Sequence, residues 1–169
     1  MKKTTKVSAH RPELLKGKRA IVTGAGRGIG RAIAVALARA GTDVAIIART
    51  PADLTRTAAM VTREGGVCYT LAADLSDARA CEQVMRDATT ELGPPDILVN
   101  NVGGAVFKPI HEYSSNEFDH HYALNLRSTY ICSREALIYM MPRRSGTIVN
   151  IASSSGKKPY ARQGPYCAM

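Results

Sequence analysis

The feature that most constrains this chain is an alternation. Short apolar runs of strand length take turns with stretches whose apolar residues recur at helical spacing. Residues 20–22 form the first such run, broken at Thr23-Gly24. Residues 27–40 then set Ile29, Ile33, Ala34 and Leu37 at helical spacing, with Gly41 as a stop signal. Residues 44–48 are a continuous apolar run, the pattern of a strand covered on both faces. Pro51 suits the first turn of the next helix, which reads through Leu54, Ala58 and Val61 to Gly65-Gly66. A third strand is expected over 67–73. Asp74-Leu75-Ser76-Asp77 leads from it into a helix through Val84 and Met85 that stops at Gly93-Pro94-Pro95. The fourth strand, 97–99, ends in Asn100-Asn101. A helical region with a break spans 115–141, closed by Pro142 and Gly146, and 147–151 is the fifth strand. This β-α-β-α-β-α-β-α-β order predicts an α/β fold, a doubly wound parallel sheet with helices on both faces.

A chain of 169 residues, 45% apolar, suits a single domain. With 5% aromatics and no Trp, its core must rest on Ala, Val, Ile and Leu. No apolar run approaches the ~18 residues of a membrane span, and the N-terminus lacks the apolar stretch of a secretory signal. A cytoplasmic protein without a membrane partner is expected. The net charge of +9 is concentrated at the start, where Lys2, Lys3, Lys6, Arg11, Lys16, Lys18 and Arg19 face only Glu13. That distribution reads as a basic arm over 1–14 on a nearly balanced domain, 15–169, rather than as a nucleic-acid footprint. Cys68, Cys81, Cys132 and Cys167 are scattered without a C-x-x-C, so they read as reduced thiols, most of them packing residues, and no metal site is expected. Adjacent His120 and His121 point about 100° apart on a helix and read as surface or interface residues. Met140-Met141 reads as core.

Between the first strand and first helix lies Thr23-Gly24-Ala25-Gly26-Arg27-Gly28-Ile29-Gly30. Glycines there allow tight turns and close approach of backbone amides to a phosphate at a helix N-terminus. The string fits neither a P-loop nor a strict G-x-G-x-x-G; what fits is Gly24-x-x-x-Gly28-x-Gly30. Its place after a strand and before an apolar helix makes it a dinucleotide loop. NAD sites generally set a carboxylate at the end of the second strand for the ribose 2′-hydroxyl. Here that region reads Ile47-Ala48-Arg49-Thr50, without an acid. Arg49 and Arg27 offer two guanidinium forks suited to a 2′-phosphate, so NADP(H) is expected over NAD(H).

From about Leu15 onward the chain resembles the short-chain dehydrogenase/reductase family, whose members have the Rossmann fold. Within it the sequence is most similar to the NADPH-dependent 3-oxoacyl-[acyl-carrier-protein] reductases. The likeness rests on the glycine loop, Asp74, Asn100-Asn101-Val102-Gly103, Asn125, Ser153 and Tyr166. Their separations agree as well: 24 residues from Asn101 to Asn125, 28 to Ser153 and 13 to Tyr166. The resemblance implies cofactor contacts from Gly24, Gly26, Arg27, Gly28, Ile29, Gly30 and Arg49. It also implies Asp74 and Leu75 at the adenine, Asn101 and Gly103 at the nicotinamide-side ribose, and Tyr166 beside the cofactor. Ser153 would polarise the substrate oxygen, Tyr166 would pass the proton and Asn125 would hold a relay water. Val102 departs from the family's usual Ala. Ser154 and Ser155 compete with Ser153 for assignment, and the 13-residue spacing favours Ser153.

The family's motif is Tyr-x-x-x-Lys, whereas here Tyr166 is followed by Cys167, Ala168 and Met169. Bringing a free Tyr from a pKa of ~10 to about 7 takes roughly 4 kcal/mol of phenolate stabilisation, part of which the family draws from that Lys. The chain is therefore expected to be part of a longer protein, the C-terminal part of the fold lying beyond it and the fifth strand left as an apolar edge. The implied activity is hydride transfer between NADP(H) and a carbonyl or secondary alcohol, with an acyl thioester among the candidate substrates. Lys157, Lys158 and Arg162 near the mouth would suit an anionic substrate or carrier. A homotetramer with contacts in the 115–141 region is implied too. The alternative is a truncated, non-catalytic nucleotide-binding or scaffold protein.

Overall fold

In the computed structural model, which describes residues 14–169, five strands pair side by side and all run parallel. They are β1 (Arg19–Thr23), β2 (Asp43–Ala48), β3 (Cys68–Ala72), β4 (Ile97–Asn100) and β5 (Thr147–Asn150), in the order β3-β2-β1-β4-β5. The basic arm proposed over 1–14 lies almost wholly outside the described residues.

Both sheet faces are covered, and the strand sequences show how. Along β2, Ala45 and Ile47 join Ile21 of β1 and Leu98 of β4 on one face. There they meet α3 (Ala78–Leu92) and α5 (Ser128–Arg143) through Val84, Met85, Ile131 and Ala136. Val44 and Ile46 join Val22 and Val99 on the other, against α1 (Gly28–Arg39) and α2 (Pro51–Arg63) through Ala34, Ala38, Leu54 and Val61. Side chains that alternate between two buried faces require an unbroken apolar run.

Three local expectations change. Helix α1 buries Gly30, Ala34 and Ala38, a stripe of small residues at four-residue spacing that allows close approach to the sheet. Ile29 is not part of that stripe and is 64% exposed. The break in 115–141 is a π-type turn, Ala123–Arg127, between α4 (Ser115–Tyr122) and α5. Pro142 does not close α5 but lies inside its last turn. The helix ends because Arg144 turns left-handed (φ 49°), letting Arg144 N–H and Ser145 N–H bond to the carbonyls of Met141 and Met140. Met140 is core as expected, but Met141 is 69% exposed.

The order β3-β2-β1-β4-β5 means that the chain adds strands to one side of β1 and then to the other. The crevice between β1 and β4, beyond their C-terminal ends, is where such sheets bind ligands.

Candidate functional site

At that crevice the backbone is tied down by buried polar side chains. Thr23, at the end of β1, is buried; its Oγ1 accepts from the amides of Asn101 (3.0 Å) and Val102 (3.1 Å). Asn101 returns the contact, its Nδ2 donating to the carbonyls of Thr23 (3.1 Å) and Gly24 (3.2 Å). A Cβ on Gly24 would lie 2.8 Å from that Nδ2, and one on Gly30 only 2.4 Å from it, so glycine is required where loop and amide meet. On the far side, buried Thr57 of α2 donates to Ala25 O (3.0 Å) and Arg31 reaches Gly26 O. With its carbonyls drawn into the protein and no side-chain cap on α1 at Arg27, the loop keeps the helix's first-turn amides open to a ligand.

The cleft over this loop has a volume of about 500 Å³. It gathers every residue expected to contact the cofactor except Gly30 and Tyr166: Gly24, Gly26, Arg27, Gly28, Ile29, Arg49, Asp74, Leu75, Asn101 and Gly103. Gly30 is buried beneath the loop and shapes it from behind. Ile29, exposed from the helix stripe, is part of the cleft wall. Asp74 accepts from the backbone N–H (3.0 Å) and hydroxyl (2.9 Å) of Ser76; the N–H bond above all, with nearby Arg49, holds its carboxyl below the usual range. The cleft also contains an acid that reading the end of β2 missed. Asp53, in the first turn of α2, lines the wall with Arg49 and Thr50. Its signal was present as an acid at a helix start, three residues after Thr50, but only packing turns it to this cavity.

A second cavity of about 290 Å³ continues the first, sharing Ile29, Asn101, Val102 and Gly103 with it. It is lined by Asn125, Ser153 and Tyr166. Asn125 stands in the π-type turn, where its Nδ2 donates to Gly104 O (2.9 Å) and His121 O (2.9 Å) and its Oδ1 accepts from Gly104 N–H (3.0 Å). It thus fastens the loop after β4 to the helices. Ser153 Oγ accepts from Ser155 N–H (3.1 Å), which leaves its hydroxyl proton free to donate. Ser155 is buried and bonds Gln163 (2.8 Å), while Ser154 is exposed and absent from the cavity wall. Of the three serines, Ser153 is the one that lines the cavity. Tyr166, in α6 (Gly164–Ala168), meets the ring of Phe107 in a T-shaped contact, 6.1 Å between centroids.

His121 departs from the surface reading. It is buried; its Nε2 accepts from Val106 N–H (3.3 Å) and its ring meets Tyr113 edge-on. Burial, with His120 beside it, pushes its pKa down, so the neutral form supports the loop at Val106. Cys81 and Cys132, far apart in sequence, are both buried in the packing of α3 against α5.

A family profile described as short chain dehydrogenase matches residues 18–169. The chain belongs to the short chain dehydrogenase family. Among relatives, this family member is 39% identical to the L-xylulose reductase of Mesocricetus auratus, over 91% of this chain and 60% of that protein. It is 34% identical to the 2,3-dihydro-2,3-dihydroxybenzoate dehydrogenase of Bacillus subtilis, over 91% of this chain and 59% of that one. A 3-oxoacyl (acyl-carrier-protein) reductase from Agrobacterium tumefaciens, solved with NADP bound, superposes with a TM-score of 0.86 at 34% identity. That match covers 91% of this chain and 59% of the reductase. The chain therefore spans about 60% of the length of the relatives it matches.

The cleft suits a dinucleotide. A glycine loop packed too close to Asn101 for Cβ atoms at Gly24 and Gly30, an uncapped helix N-terminus and two cationic side chains at one end fit phosphates and a ribose.

Proposed function

We propose that this short chain dehydrogenase acts as an oxidoreductase that moves a hydride between NADP(H) and a carbonyl or secondary alcohol. The observation that carries the reading is continuity: one crevice runs from the glycine loop to Ser153 and Tyr166 across the shared wall of Asn101, Val102 and Gly103. When bound, the cofactor supplies the hydride chemistry at its nicotinamide ring.

The roles proposed for the chain's own residues follow from their partners. The first-turn amides of α1 and the loop from Gly24 to Gly28 bind the pyrophosphate. Gly30 gives the loop room, and Ile29 packs against the cofactor. Asp74 and the Leu75 backbone receive the adenine, while Asn101 and Gly103 form the wall beside the second ribose. Arg27 and Arg49, both exposed in the cleft, favour a 2′-phosphate, which supports NADP(H) over NAD(H). Ser153, with its acceptor side taken by Ser155, donates its proton to the substrate oxygen. Tyr166 gives or takes the proton at that oxygen, and Phe107 fixes its ring. Asn125 holds a relay water through the remaining lone pair of Oδ1, its other amide atoms being used.

Titration of the intact protein with NADPH and a screen of ketones and 3-oxoacyl thioesters test the reading together. Binding with consumption of NADPH is expected. Binding without consumption of any substrate favours a nucleotide-binding or scaffold role, and failure to bind either dinucleotide removes both.

The proposed assembly is a homo-oligomer, a tetramer by family resemblance, closed over α5. There Tyr130, Leu137, Ile138 and Met141 leave an apolar groove of about 480 Å³ on the surface. Light scattering with Ile138→Glu checks it: the wild type should be multimeric and the variant smaller. The proposed compartment is the cytoplasm, where the free thiols of Cys81 and Cys132 persist. No helix of the described residues is long and apolar enough to cross a membrane.

A further inference from the structure

The cleft that holds Arg27 and Arg49 also holds a carboxylate. Asp53 lies in the first turn of α2, and a Cβ on Gly26 would come within 3.1 Å of its own Cβ, so the acid sits directly against the glycine loop. Two guanidiniums face it: Arg56 Nη1 stands 3.4 Å and Arg31 Nη2 3.8 Å from Oδ1. They are not equivalent. Arg31 is committed to the loop, donating to Gly26 O and, through Nε, to Thr57 Oγ1 at 3.0 Å. Arg56 is 71% exposed and lies one turn further along the same helix as Asp53.

We propose that Asp53 is a specificity-determining residue for the ribose 2′ position and that Arg56 sets its effective charge. The inference rests on the reading of the cleft as a dinucleotide site and deepens it. A carboxylate accepts hydrogen bonds and donates none. It can therefore serve a ribose 2′-hydroxyl, whereas an ionised 2′-phosphate offers it only repulsion. With Arg56 across it the charge of Asp53 is compensated, and Arg27 and Arg49 hold the phosphate. With Arg56 removed only Arg31, more distant and committed to the loop, still faces the acid, and the balance moves toward the hydroxyl. Asp74, the other acid of the cleft, is engaged by Ser76 and belongs to the end of β3.

Calorimetric titration of the chain with NADPH and NADH tests this without any turnover. Asp53→Asn should raise the preference for NADPH over NADH by about three- to tenfold, and the gain should fade as ionic strength rises. Arg56→Ala should lower that preference about two- to fivefold, the range of a partly exposed pair. In the Asp53→Asn background, Arg56→Ala should leave the ratio nearly unchanged, because Arg56 acts only through the acid. If the loss from Arg56→Ala persists there, Arg56 touches the phosphate itself and the proposal is wrong. If the wild type prefers NADPH and Asp53→Asn shifts both dinucleotides equally, Asp53 is merely an acid at a helix start, and only this inference fails. If the wild type binds neither, the cofactor reading falls and this inference with it. The solvent-facing Arg56→Ala supplies an arm that does not depend on Asp53→Asn folding well.

Discussion

The two ends of the crevice are built differently. At the end proposed for the nucleotide the wall is largely backbone, held from below by buried polar side chains: Thr23, Asn101, Thr57 and Arg31 all spend hydrogen bonds on loop carbonyls and amides. The strands beneath, β1 and β2, are almost wholly buried. At the end proposed for the reaction the candidate groups are side chains on short pieces. Ser153 follows β5, an edge strand that is largely exposed, and Tyr166 stands on a five-residue helix. The contrast shows two ways to place chemistry. A phosphate site needs fixed amides and so is set into the core, whereas a proton-transfer site needs reach and is carried on loops pinned by single bonds such as Ser155 to Gln163.

Variants can break this contrast, beginning with the largest effect. Tyr166→Phe should lower turnover by about two to four orders of magnitude while NADPH affinity stays within about twofold. Steady-state rates and titration measure the two, and unchanged turnover would take Tyr166 out of the proton path. Gly30→Ala strikes the nucleotide end, because its Cβ would meet Asn101 Nδ2 and, 2.5 Å away, Gly24 O. Overpacking of that kind should cost about 1–3 kcal/mol in urea unfolding and weaken NADPH binding together. Gly28→Ala, in open space with φ +57°, should cost only the left-handed strain of about 1–2 kcal/mol. Ser155→Ala should cost about 0.5–1.5 kcal/mol and reduce turnover without touching NADPH affinity. If it weakens NADPH as much as Gly30→Ala does, the two ends are not separable.

The smallest effects are in pH. His121 has a folded pKa below its ordinary 6.5, so the unfolded chain takes up a proton that the fold resists. Stability from this group is complete above pH 6.5 and declines as pH falls from there toward the lowered value. His121→Gln should flatten that part of the urea-midpoint curve. Glu117, pulled from 4.5 to about 2 first of all by Lys108 and then by Ser114, should give a second decline between those values that Lys108→Met reduces without abolishing.

Much of the fold was readable because it is written in local patterns. The unbroken apolar run of β2 signals burial on both faces, and Asp77 caps α3 through Arg79 N–H (2.7 Å) and Ala80 N–H (3.0 Å), where the turn before the helix was expected. The candidate site residues were legible by spacing and by resemblance, and all but Gly30 meet in one crevice. What escaped were roles set by distant partners. Thr57 and Arg31 clamp the glycine loop from other elements, and His121 looks like a surface residue until the loop at Val106 covers it.

By itself the sequence determined the alternation of strands and helices, the glycine turn and the side-chain chemistry at each site position, because those follow from short-range geometry and residue type. Only the tertiary structure decided the strand order, the burial of His121 and the entry of Asp53 into the same wall as Arg27 and Arg49. Each of these depends on which faces pack together across the sheet, and that is settled by contacts between segments tens of residues apart.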